Sequence, residues 1–355
     1  MRLETLLPLG KVDPGLRQPE LALDLATVGE DARMVESLGY DALMVEETKV
    51  DPFVVVALAA HATKTLKLGT AVAIAFPRSP TVTAMSAWTL QKLSNGRFTL
   101  GLGPQVKGHI ERRYGMRWSP AGPWMREYIK AVRAVWDCWQ NGTPLNVKGE
   151  HYNVNLMVPL FNPGPIEHPD IPIHLAAVNP VICRVAGELA DGIRPHPVCT
   201  AEYIEQVMMP ALRQGANKGE RELYDFKISI KPLIATAADT KALEPRIRDV
   251  RARVAFYAST PAYRAAFAFH GLGELADSLS VLSKQQRWEE MPNFISDDVL
   301  DKYAVVGTFK EIGEKLEQRY GHVVTNAEFS IPIASERDQR TLRSLIADIH
   351  QLSVD

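Results

Sequence analysis

Residues 66–103 read LKLGTAVAIAFPRSPTVTAMSAWTLQKLSNGRFTLGLG. The apolar run 66–74 suits a buried strand. Residues 81–93 carry helical spacing, and Asn95-Gly96 stops them. Residues 98–103 return to a strand pattern. Strand, helix and strand in so short a stretch make a unit of a parallel sheet.

The same alternation continues outward on both sides. Toward the N-terminus, the pattern predicts a strand at 3–9 and a helix at 19–38 ending at Gly39. A short buried strand at 42–46 follows, then a helix at 52–63 with Pro52 in its first turn. Toward the C-terminus, helix 124–140, strand 171–176 and helix 180–190 precede a very short strand at Ile193. Helix 201–214, strand 226–236 and helix 241–256 come next. Helix 310–320, strand 327–332 and helix 336–352 close the chain. About eight β/α alternations in 355 residues predict one α/β domain over residues 1–355, a closed (β/α)8 TIM barrel. An open sheet would need a glycine fingerprint after an early strand. Gly101-Leu102-Gly103 comes late and lacks the third glycine and the helix start. Insertions at about 141–170 and 258–305 interrupt the barrel. The first contains residues 145–154, LNVKGEHYNV, which read as a small hairpin. The second is long enough to be a lid, an interface element or an excursion packed on the barrel wall.

Composition narrows the function. Forty basic and 42 acidic residues leave a formal net charge of −2, so nothing favours nucleic acid or an anionic membrane. No apolar run is long enough to span a bilayer, and residues 1–10 do not form a secretory signal. Three cysteines with no CxxC pair fit a reducing, cytoplasmic setting. The histidines show no ligand spacing, so no metal is expected, and no P-loop, nucleophile elbow or HExxH motif is present.

Barrel chemistry lies at the C-terminal ends of the strands. After the second strand stand Glu46-Glu47-Thr48-Lys49. Two adjacent carboxylates there supply a proton carrier, since like charge and burial raise one pKa, or else form a solvated surface pair. After the third strand, residues 71–80 are apolar and closed by two prolines. They make a wall for a flat ring or a strand overrunning the barrel edge. After the fourth strand, Gln105, Lys107 and His109 offer polar contacts. Arg112, Arg113 and Arg117 suit an anionic tail, or are a solvated face paired with Glu111 and Glu127. After the fifth strand, Ala177, Val178, Asn179 and Pro180 lead into a helix N-terminus, an anion site in which Asn179 also serves as N-cap.

Several stretches together resemble the luciferase-like monooxygenase superfamily, in the branch that uses the deazaflavin coenzyme F420. They are Gly39-Tyr40-Asp41, Asp51-Pro52-Phe53, residues 66–70 (LKLGT), 93–103 (LSNGRFTLGLG), 185–193 (VAGELADGI) and Val306-Gly307-Thr308. The resemblance implies a TIM barrel with the cofactor at its C-terminal mouth and a cis peptide at Ala71–Val72. It implies cofactor contacts from Ala71, Val72, Ala73, Gly103, Gln105 and His109, and a phosphate site at Ala177, Val178, Asn179 and Pro180. Glu47 falls where members carry an acid, and Thr48 stands where they carry a histidine. Catalysis is thereby expected from Glu47, Thr48 and His109, as hydride transfer between F420 and a small carbonyl, alcohol or enoyl compound. An FMN-dependent monooxygenase and a non-catalytic ligand-binding barrel are the alternatives. The resemblance further implies a homodimer, with the helical stretches 57–62 and 84–90 as interface candidates.

Overall fold

The computed structural model describes residues 1–11 and 22–352. Eight strands form the frame: β1 (Arg2–Thr5), β2 (Ala42–Val45), β3 (Lys67–Thr70), β4 (Phe98–Gly103), β5 (Ile173–Ala177), β6 (Gly192–Pro195), β7 (Lys227–Ile230) and β8 (Asn326–Glu328). Every neighbouring pair is parallel. β8 closes on β1, with Leu3 opposite Ala327, and β3 pairs β4, with Leu68 opposite Phe98. The expected (β/α)8 barrel is the fold.

Strand alternation splits the core in two. Leu3, Leu43, Leu68, Leu100, Ile173, Ile193, Ile228 and Ala327, one per strand, are buried in the apolar layer between strands and helices. The alternate positions face the barrel axis: Glu4, Met44, Gly69, Gly101, His174, Arg194, Ser229 and Asn326. A barrel interior is ordinarily filled by branched apolar residues. Here it is largely polar, and Glu4 accepts from Arg194 at 2.6 Å and from Asn326 at 2.9 Å. Gly192 leaves room for the His174 ring, which a Cβ would meet at 2.7 Å.

Several expected boundaries shift. The first helix spans Val28–Leu38, because Asp24 binds the Ala26 N–H and builds a turn ahead of it. The part of the expected helix at residues 19–21 lies outside the described residues. Strand 66–74 divides into β3 and Ala73–Ile74, which pairs with Leu102 and Gly103. Strand 226–236 breaks at Pro232, which has no N–H to donate. Its second half, Leu233–Ala237, leaves the barrel and pairs in parallel with Ala304–Thr308 at the end of the second insertion. The small hairpin forms as Val147–Lys148 against Asn153–Val154. No helix among the described residues is long and apolar enough to cross a membrane.

Candidate active site at the barrel mouth

Beyond the strands' C-terminal ends, Glu46 lies at the centre of an ionic cluster. Lys11, after β1, reaches it at 2.9 Å, and Lys231, after β7, at 3.2 Å. Lys231 also meets Glu328 of β8 at 3.4 Å. The alternation that turns Ala42 and Met44 inward, beside Leu6 and Ala71, carries on to Glu46. Burial pushes the Glu46 carboxyl up, but Lys231 and Lys11 outweigh it and hold it at about 2. The upward shift expected for one of the two neighbouring carboxylates is therefore not found at Glu46. Glu46 is a carboxylate clamped by two ammonium groups.

Glu47 was expected to face the pocket, but it turns the other way, to the loop after β3. Its Oε2 accepts the Ile74 N–H at 2.7 Å, and Arg78 donates through Nη1 to both carboxylate oxygens, at 2.8 and 2.7 Å. Arg78 continues to Asp51 at 3.0 Å. Glu47 thus ties the second loop to the third. The third loop itself is shaped by close backbone approach. The Ala71–Val72 peptide is cis, as expected. A Cβ on Gly101 would lie 1.8 Å from the Thr70 carbonyl oxygen, and one on Gly103 would lie 2.6 Å from Val72 Cγ2. Position 101 therefore requires glycine, and a side chain at Gly103 would displace Val72. The Thr70 hydroxyl completes the lock, donating to Gly101 O at 2.6 Å and accepting from Gly101 N at 2.9 Å. Ala73, Ile74, Ala75 and Phe76 are buried. Phe76 stacks on Trp124 at 3.8 Å, and Trp124 donates to the Tyr152 hydroxyl at 2.8 Å, so the hairpin is fastened to this wall.

The remaining expected residues are dispersed around the rim. Thr48 offers its carbonyl to Arg113 at 3.3 Å. Gln105 has positive φ and accepts the Val106 N–H on its own side chain at 2.8 Å. His109 is exposed on the short helix Lys107–Arg112, and its imidazole makes no hydrogen bond or ion pair among the described residues. Lys107 pairs with Glu111 at 3.8 Å, but Glu127 binds the backbone N–H groups of Glu150 and His151, so it does not pair with the exposed arginines. Asn179 caps its helix, accepting from Val181 and Ile182 at 3.1 and 3.2 Å, with Pro180 at the first helical position. The cap therefore holds two of the N–H groups that an anion at this helix end would use.

Sequence reasoning missed Arg78, Lys231, Lys11 and His196. Lys231 and His196 sit just past β7 and β6, where the strand-end rule points, so their positions alone were the available signal. His196 lies beside Lys231, and burial together with that charge pushes its pKa down to about 3. Tyr263 stacks on the imidazole with ring centroids 4.0 Å apart. The mouth thus combines an apolar, small-residue wall on β3 and β4 with a charged and aromatic wall on β6 to β8.

Comparison with known proteins agrees with this architecture. The family model of luciferase-like monooxygenases matches residues 1–326. A Mycobacterium tuberculosis protein described only as uncharacterized is 38% identical over 327 residues, covering 92% of this chain and 95% of the relative. A putative coenzyme F420-dependent oxidoreductase of the same organism is 28% identical, covering 85% and 88%. The structure of the coenzyme F420-dependent tetrahydromethanopterin reductase of Methanopyrus kandleri superposes with a TM-score of 0.73 at 18% identity, covering 99% of both chains.

Proposed function

Because the chain belongs to the luciferase-like monooxygenase family, we propose that it transfers a hydride between coenzyme F420 and a small carbonyl, alcohol or enoyl compound. The observation that carries this reading is the small-residue wall at the ends of β3 and β4, in a chain whose relatives include a putative F420-dependent oxidoreductase. Ala71 and Val72 are partly exposed and present methyl groups and backbone, which suits the face of a flat ring, with Ala73 and Gly103 packed behind them. When bound, a deazaflavin supplies the hydride-carrying ring carbon.

The chain's own residues orient, shield and polarise. Glu47 and Arg78 hold the wall in place. Phe76 and Trp124 keep water from its outer side. On this reading Gln105 lies beside the ring, His109 contacts the cofactor's chain, and backbone N–H groups of residues 177–179 take its phosphate at the start of the Pro180 helix. Arg112 and Arg113 add a longer-range attraction for its acidic tail, weakened by salt. On the facing side Lys11 and Lys231 are paired with Glu46 and Glu328, so this wall offers a substrate oxygen polar groups whose charges balance. Cytoplasmic residence is consistent with three buried, unpaired cysteines.

The test is to titrate the purified protein with F420 and with FMN, following fluorescence and absorbance, and then to screen ketones and enoyl compounds with reduced F420. Saturable F420 binding with turnover is expected. FMN binding without F420 binding would move the assignment to a monooxygenase, and ligand binding with no turnover to a non-catalytic barrel.

A further inference from the structure

We propose that His196 is a fixed hydrogen-bond donor aimed into the barrel mouth, and that it takes a carbonyl oxygen of the bound ligand. On β6 the axis-facing side chains alternate: Gly192 abuts His174, Arg194 reaches Glu4, and the next position in that series is His196. Its Nδ1 accepts the Val198 N–H at 3.4 Å, which leaves the proton on Nε2. Nε2 has no partner among the described residues. The ring cannot swing to find one. Tyr263 stacks on it at 4.0 Å, and Tyr257 meets it edge-on at 4.7 Å. Tyr257 ends the helix Thr240–Ala258, and Tyr263 belongs to the turn Pro261–Tyr263 that opens the second insertion. The insertion therefore has a local task, to roof and orient this imidazole.

The ring is also neutral. It is half-buried, and partial desolvation together with the Lys231 ammonium opposes a positive charge on it. A neutral imidazole with Nδ1 occupied offers one N–H and no acceptor, so an oxygen is what it can bind. Glu46 and Glu328 are engaged with lysines. The Nε2–H, accessible and without a protein partner among the described residues, is open to a ligand oxygen. On the hydride-transfer reading above, on which the ligand's identity rests, that oxygen is a carbonyl of either the substrate or the deazaflavin ring. A donor fixed before binding stabilises charge developing on that oxygen without reorganising.

Three measurements test this. Nitrogen NMR of the ligand-free protein at neutral pH should show His196 as the neutral Nε2–H form. His196→Phe keeps the ring stack and removes the N–H, whereas His196→Gln keeps a donor near the Nε2 position. The Phe variant should lose about 10-fold, the worth of one hydrogen bond of ordinary strength, and Gln should recover most of it. If the partner is the cofactor, the loss appears in the F420 dissociation constant. If it is the substrate, F420 binding stays unchanged, and kcat/KM falls for whichever ketone the screen finds. Circular dichroism and thermal melting confirm that both variants fold. An Nδ1–H or protonated ring overturns the proposal, as does a Phe variant matching wild type in both constants. If the wild type fails to bind F420, the functional reading falls and the NMR form alone decides this one.

Discussion

Glu46 and Glu47 are chain neighbours that the fold sends to opposite sides of a strand end. Glu46 joins Lys11 and Lys231 at the mouth, while Glu47 takes three hydrogen bonds from Ile74 and Arg78. The Glu47–Arg78 pair is well shielded, with side chains 11% and 19% exposed. Glu47→Ala leaves that guanidinium with Asp51 as its only carboxylate, beside the Ile74 carbonyl, and the Ile74 N–H unmet. A loss of about 2–3 kcal/mol is expected from urea unfolding; a loss under about 0.5 kcal/mol would show that the loop does not depend on this clamp. One buried histidine, His174, and one half-buried, His196, set a pH dependence of known sign. His174 and His196 are pushed down from the ordinary 6.5, to about 4 and about 3, in both cases chiefly by burial. Below pH 6.5 the unfolded chain binds protons that the folded one refuses, so stability falls as pH drops toward 4. Glu36 and Glu46 are both held at about 2, against the pull of burial: Glu36 by hydrogen bonds from residues 64–66, and Glu46 by its two lysines. Their contribution is complete above pH 4.5 and disappears as pH falls toward 2. The melting temperature should therefore decline from pH 6.5 downward, and His174→Asn should flatten the limb between 6.5 and 4. A melting temperature constant from pH 7 to 5 contradicts the histidine assignment.

Two helices show how elements can be bound by what they lack. Pro180–Leu189 and Met209–Lys218 touch backbone to backbone. A Cβ on Gly187 would lie 2.0 Å from Leu212 O, and one on Gly215 would lie 2.0 Å from Arg184 O. Alanine at Gly187 would favour an isolated helix by about 1 kcal/mol, yet here it forces the pair apart. A net destabilisation of about 3 kcal/mol is expected on denaturant unfolding, and a stabilised variant would disprove the close packing. Periodicity located both helices, since their apolar stripes are long. It did not place their contact, because a mid-helix glycine carries no record of what approaches it. Likewise, the run 226–236 reads as one strand, and only the pairing partners show that it divides at Pro232 between the barrel and a side sheet.

Over the whole molecule, the faces of the helices Pro52–Ala62 and Pro80–Ser94 bear on assembly. Their alanines Ala59, Ala60, Ala84 and Ala87 are buried against the rest of the domain, so these are packing residues. Val54, Leu58, Val82 and Met85 remain outward, between 41% and 55% exposed. We propose this apolar face as the interface of a homodimer. Sedimentation at micromolar concentration should give about twice the 39.4 kDa chain mass, and Val82→Lys with Met85→Lys should return the single-chain mass. A wild type of single-chain mass ends the idea. The barrel itself was legible from residues 66–103 outward, because strand and helix periods are local properties of the chain and eight repeats leave few closed arrangements. The resemblance carried in part by residues 66–70 (LKLGT) implied a cis peptide, and that peptide is present at Ala71–Val72. Only the tertiary structure decided which of two adjacent glutamates faces the mouth, that Arg78 captures the other, and that Lys231 and His196 complete the far wall. Those outcomes depend on strand parity counted around a closed barrel and on charges far apart in sequence, and neither quantity is written in any local stretch of residues.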